Sequence, residues 1–201
     1  MSKLSIRATA ALALLLAGAA QADRVAISAL PAYHANAVNL LIDPNVTDVV
    51  ANVAAGVVYS AARGQGARVR QWAVDDGAGT PLRCNPVERL EMALLATGFS
   101  YAHDKRRQQA QILTRILPVV RDIRRIGSCA LDLCMVAAGQ LDAYFEDGVH
   151  VWDWAAGALI AAEAGARVWL PGTVGAGRIA ASAPGIATEL TAALADAGVN
   201  L

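Results

Sequence analysis

Net charge is the first thing this chain lacks. Its 17 Lys and Arg balance 17 Asp and Glu, so the electrostatic footprint that nucleic-acid binding needs is missing. The densest basic spots, Arg106-Arg107 and Arg124-Arg125, read as solvated helix faces or helix ends. Cysteine is also scarce. Cys84, Cys129 and Cys134 allow at most one disulfide with one thiol left over. No CxxC or Cys/His spacing offers zinc a site, and Cys129 and Cys134 sit in an apolar helical pattern that suits buried, inert thiols. No stretch reaches the ~20 uninterrupted apolar residues of a membrane span. A nucleotide-phosphate loop is missing too: Arg63-Gly64-Gln65-Gly66-Ala67 has the glycines but not the strand–loop–helix frame or the Gly-Lys-Ser/Thr ending. It reads as a tight hairpin turn.

What the chain has is apolar mass. Of its 201 residues, 56% are hydrophobic, enough for one sizeable core. At the amino end, Lys3 and Arg7 precede the apolar run Ala8–Ala19, and Ala20-Gln21-Ala22 closes it. That is the layout of a secretory signal peptide, and residues 1–22 are expected to act as one or else to form an Ala/Leu-rich helix. From Pro31 to Trp72 the pattern is β. Val46–Val53, Gly56–Ala61 and Arg68–Trp72 are short runs punctuated by turn signals, among them Asp43-Pro44-Asn45 and Asp75-Asp76-Gly77.

After Pro86 the texture changes. Leu90–Thr97 is a short apolar run, and Lys105–Val120 carries Ile112, Leu113, Ile116 and Leu117 at helical spacing. Ser128 can cap a helix running through Ala138, with Gly139 in the left-handed region behind it. Leu141–Glu146 is expected as a strand. A helix is expected to begin at Asp153 and stop at Gly165; Ala166–Leu170 and Arg178–Ala183 follow as strands, and Pro184–Ala195 as a final helix. Strands alternating with helices imply a layered α/β domain. The expected organisation is a leader over 1–22, an antiparallel sheet region over 23–86 and an α/β domain over 87–201.

Two helix starts carry chemistry. At Gly127-Ser128-Cys129-Ala130 the glycine permits close backbone approach, and the first helical amides form a positive end suited to an anion. At Trp152-Asp153 a carboxylate stands at a helix start, a few residues after Glu146. By itself an Asp there is an N-cap. The joined pattern says more: Arg125-Ile126-Gly127-Ser128-Cys129-Ala130-Leu131-Asp132-Leu133-Cys134, then Gly139-Gln140-Leu141-Asp142-Ala143-Tyr144-Phe145-Glu146, then Trp152-Asp153-Trp154-Ala155-Ala156-Gly157. This resembles the second signature region of the inositol monophosphatase family. The resemblance extends back through Ala96-Thr97-Gly98-Phe99 and Tyr59–Gly64 to Pro31-Ala32-Tyr33, covering about residues 31–201.

The resemblance implies a sugar-phosphatase-like αβαβα sandwich, shortened at its amino end, and Mg²⁺-dependent hydrolysis of an inositol monophosphate or related small phosphate monoester. Asp153 would be a catalytic group and Mg²⁺ ligand. Glu146 would hold a substrate hydroxyl, and Gly127, Ser128 and Cys129 would line the phosphate and ring pocket through backbone groups. His150 falls in the pocket wall. The partner implied is a small phosphorylated polyol, with a homodimer common in the family; the location implied is cytoplasmic unless residues 1–22 direct export. The family's first metal signature, Asp-Pro-Ile/Leu-Asp-Gly-Thr, has no counterpart here: Leu16–Leu30 holds one acid, Asp23, and Asp43-Pro44 occupies a turn between strands. The alternative is therefore a catalytically impaired family fragment that binds phosphate or a partner.

Overall fold

The computed structural model describes residues 47–71, 79–172 and 176–201, all within one compact unit, His34–Leu201. The leader, Pro31-Ala32-Tyr33, Asp43-Pro44-Asn45 and Asp75-Asp76-Gly77 lie outside the described residues. The valine-rich segments form the hairpin strands β1 (Thr47–Asn52), β2 (Val57–Ala62) and β3 (Ala67–Gln71), followed by the short β4 (Thr80–Pro81). They make an antiparallel sheet in sequence order. Gly64 and Gly66 both take positive φ in the β2–β3 turn, as a tight hairpin requires.

A second, five-stranded sheet contains β5 (Leu94–Thr97), β6 (Asp122–Arg124), β7 (Ala143–Val149), β8 (Arg167–Trp169) and β9 (Gly177–Ser182). Its order is β6-β5-β7-β9-β8. β5, β6 and β7 run parallel, whereas β9 pairs antiparallel with β7 and β8. The helices are α1 (His103–Ile116), α2 (Cys129–Ala137), α3 (Val151–Glu163) and α4 (Ala187–Asp196).

Two cores sit on opposite faces of this sheet. On one, Leu133 and Cys134 of α2, Trp154, Leu159 and Ile160 of α3, and Tyr144 of β7 pack with Val50 and Tyr59 of the hairpin sheet. On the other, Ile116, Leu190 and Leu194 from α1 and α4 cover Leu95, Ala143 and Phe145. The described layers thus run sheet, helices, sheet, helices. α2 and α3 are apolar on most sides because they lie between the two sheets, while α1 keeps Arg106 and Arg107 in solvent. Where the helices cross, Gly157 lets α3 approach α2: a Cβ there would meet Leu133 Cβ at 2.9 Å.

Two carboxylates fasten the layers. Glu163, in the last turn of α3, accepts from the Gly64 amide at 2.8 Å and the Gly66 amide at 2.9 Å. Asp142 accepts from the Leu94 amide at 2.7 Å and from Asn85 at 2.8 Å, tying the start of β5 to the start of β7. Three sequence expectations need correcting. Arg124 ends β6 and Arg125 follows it, so this pair is not on a helix. β7 starts at Ala143 rather than Leu141, because the Leu141 amide still bonds back to Met135 in the turn closing α2. α3 starts at Val151, with His150 as its N-cap, and Asp153 is its third residue.

Candidate functional site

The parallel strands β6, β5 and β7 all deliver their carboxyl ends to one edge, the edge where open α/β sheets hold ligands. Glu146 rises there from β7. Side chains alternate along a strand, so Tyr144 and Glu146 share the face toward α2 and α3, while Ala143 and Phe145 face the other core. Thr97 of β5 pairs with Phe145, so the next residue, Gly98, comes beside Glu146. A methyl group built on Gly98 would overlap the Glu146 carboxyl group; only glycine leaves that space.

The Glu146 side chain is half buried. The Tyr144 hydroxyl donates to its Oε2 at 2.5 Å. Burial lifts the carboxyl above its usual range; the Tyr144 hydrogen bond opposes this, the Asp153 charge adds to it, and Arg125 counters it. Arg125, exposed at the rim, also stands over the Phe99 ring, 5.9 Å from its centroid.

α2 begins at this edge. Gly127 has φ +89°, a left-handed turn that carries the chain from β6 into the helix. Ser128 is the N-cap, with its Oγ accepting from the Leu131 amide at a long 3.5 Å. The Asp132 amide makes the first helical bond, to Ser128 O, so the amides of Cys129 and Ala130 have no helical acceptor. The Cys129 thiol is buried, and burial pushes its pKa up. Its neighbourhood can serve a ligand through backbone groups. Behind this start lies Asp132, 0% exposed, with neither carboxyl oxygen partnered among the described residues. Burial foremost, then the Glu146 charge, raises its pKa to about 7.

α3 begins at the same edge. Asp153 Oδ2 accepts from the His150 amide at 2.8 Å, a back-bond from the third helical position to the N-cap. The His150 ring stacks on Trp152, with centroids 4.6 Å apart, and its Nδ1 is 3.8 Å from Asp153 Oδ2. One oxygen of Asp153 therefore caps the helix and the other stays open to a ligand. Mg²⁺ takes about six oxygens and commonly only one or two protein carboxylates among them. No group of three or more His, Cys, Asp or Glu gathers for a metal among the described residues. These residues fit one ligand position of such an ion, not a complete site.

Gly127, Ser128, Cys129, Glu146 and Asp153 thus lie along one sheet edge. Three contributors to this edge carry no role in the sequence expectations: Tyr144, Asp132 and the contact of Gly98 with Glu146. The two-residue spacing of Tyr144 and Glu146 on a strand was the available signal for the first.

Solved proteins share this layered α/β architecture. SuhB of Mycobacterium tuberculosis superposes with a TM-score of 0.66 at 59% identity, covering 74% of this chain and 58% of that one. The inositol monophosphatase of Anabaena gives 0.64 at 29% identity, over 76% and 60%. The inositol-1-monophosphatase of Mycobacterium leprae is 57% identical over 169 residues, which is 82% of this chain and 57% of that protein. The family model described as "Inositol monophosphatase family" matches residues 38–199. The chain belongs to the inositol monophosphatase family, and it spans less than two thirds of the length of these relatives.

Proposed function

We propose that this chain hydrolyses a small polyol phosphate monoester, an inositol monophosphate or a close relative, with Mg²⁺ as cofactor. The observation that carries the reading is the convergence of Glu146, the α2 start and Asp153 on one edge of the parallel strands, in a chain of this family. The phosphate would meet the positive start of α2 through the backbone of Gly127, Ser128 and Cys129. Glu146 would accept from a hydroxyl of the polyol, and Asp153 Oδ1 would bind the ion. When bound, Mg²⁺ neutralises phosphoryl charge and activates water. In the net reaction the water oxygen bonds to phosphorus as the ester P–O bond breaks, and the released polyol oxygen takes up a proton.

The test is phosphate release from myo-inositol 1-phosphate by the full chain. Release should require Mg²⁺ and fall to background in Asp153→Asn, with circular dichroism confirming that the variant folds. Wild type and variant equally inactive at saturating Mg²⁺ would overturn the reading. Stoichiometric binding of the phosphate without turnover would replace it with the phosphate-binding role.

A further inference from the structure

The side chain that fixes Glu146 is buried in the core rather than placed in the pocket. Tyr144 is 0% exposed and belongs to the core shared with Leu133 and Trp154, so its ring cannot swing. Its hydroxyl is directed at Glu146 Oε2, 2.5 Å away, and the buried phenol is pushed well above its ordinary pKa, chiefly by desolvation. The Glu146 carboxyl also lies against the bare backbone of Gly98, in the space that a Cβ there would fill. Nothing else among the described residues donates to Glu146.

We propose that Tyr144 is a positioning residue for the polyol subsite: its buried hydroxyl holds Glu146 Oε2 and so fixes the orientation in which the carboxylate meets substrate hydroxyls. This rests on the reading of Glu146 as the hydroxyl acceptor and adds a specificity element to it. A carboxylate free to rotate presents two equivalent oxygens to water and ligand. One held by a buried phenol keeps a single orientation, so the orientation cost of binding is met before the ligand arrives. The selectivity that follows is for phosphates on a hydroxylated ring over phosphates on a bare one. A site that hydrogen-bonds a substrate hydroxyl discriminates against the analogue lacking it.

The experiment uses calorimetric titration of two probes, myo-inositol 1-phosphate and phenyl phosphate, into wild type and Tyr144→Phe. Losing the orientation should weaken the inositol phosphate about fivefold, within the range of one ordinary hydrogen bond, and leave phenyl phosphate within about twofold. Equal weakening of both probes, or of neither, would overturn the proposal. A ligand-free arm separates it from the functional reading. In a thermal-unfolding cycle of Tyr144→Phe and Glu146→Gln, the melting temperatures should be non-additive by about 2–4 °C. Additive shifts defeat the proposal while leaving the hydrolase reading intact. Non-additive shifts in a wild type that binds neither probe defeat the reading of the site, and the inference with it.

Discussion

α2 and α3 are packed neighbours that start on the same sheet edge, yet their positive ends are treated in opposite ways. The start of α3 is closed by its own sequence: Asp153 reaches back to the His150 amide at 2.8 Å. The start of α2 is nearly open. Its cap bond is a long 3.5 Å, and its first-turn acid, Asp132, is turned inward and fully buried. A helix end that brings its own carboxylate has little call for an anion, whereas one that hides its acid is ready to accept one. The contrast supports the proposed function, in which phosphate would meet α2 and α3 would present a carboxylate oxygen.

The comparison breaks most completely if the helices separate. In Gly157→Val the new Cβ would meet Leu133 Cβ at 2.9 Å and Ala130 O at 3.0 Å, and neither backbone nor Cβ can yield cheaply. Urea unfolding should show a loss of about 3 kcal/mol, with binding of inositol phosphate lost as well because both helix starts shift. A variant with wild-type stability would mean that this crossing does not position the site.

The inward acid offers a sharper test. Asp132 is raised to about 7, and an unfolded Asp ionises near about 3.9. The folded value is the higher one, so folding favours the protonated form. Its contribution is most favourable below the unfolded value and is lost as pH rises from about 4 to about 7. Glu146, Cys129 and Arg125 are the titratable or charged groups that sense it. Asp132→Asn should therefore raise the melting temperature more at pH 8 than at pH 5. Asp48, raised to about 6 by burial, acts with the same sign but is present in both proteins and cancels in the difference. A gain that does not change with pH would show that Asp132 is not held neutral.

The smallest effect is expected at the cap. With its bond to the Leu131 amide already long, Ser128→Ala should cost about 0.5 kcal/mol, the low end of N-cap losses. Phosphate affinity should stay close to wild type, because the backbone groups of Gly127, Ser128 and Cys129 remain. A loss above tenfold in affinity would give the hydroxyl itself a ligand role.

Much of this was legible along the chain. Val-rich runs bounded by turns marked the hairpin sheet, and Ser128 and Gly139 bracketed α2 as the spacing predicts, with Gly139 at φ +67°. The Trp-Asp pattern located Asp153 at a helix start, though not its place within the first turn. Arg125 was misplaced because basic pairs resemble one another on helices and at strand ends, and only pairing with β5 decides between them.

By itself the sequence determined which segments form strands and helices, which family they belong to and which carboxylates stand near helix starts. These follow from local periodicity, capping chemistry and motif. Only the tertiary structure decided what each carboxylate does. Whether Asp132 is a solvated first-turn acid or a buried one, and what packs against the Glu146 carboxyl, depends on what other segments bring to them. The Tyr144–Glu146 contact follows from two-residue spacing on β7, but Gly98 reaches Glu146 only through the pairing of β5 with β7, a contact set by packing rather than by spacing along the chain.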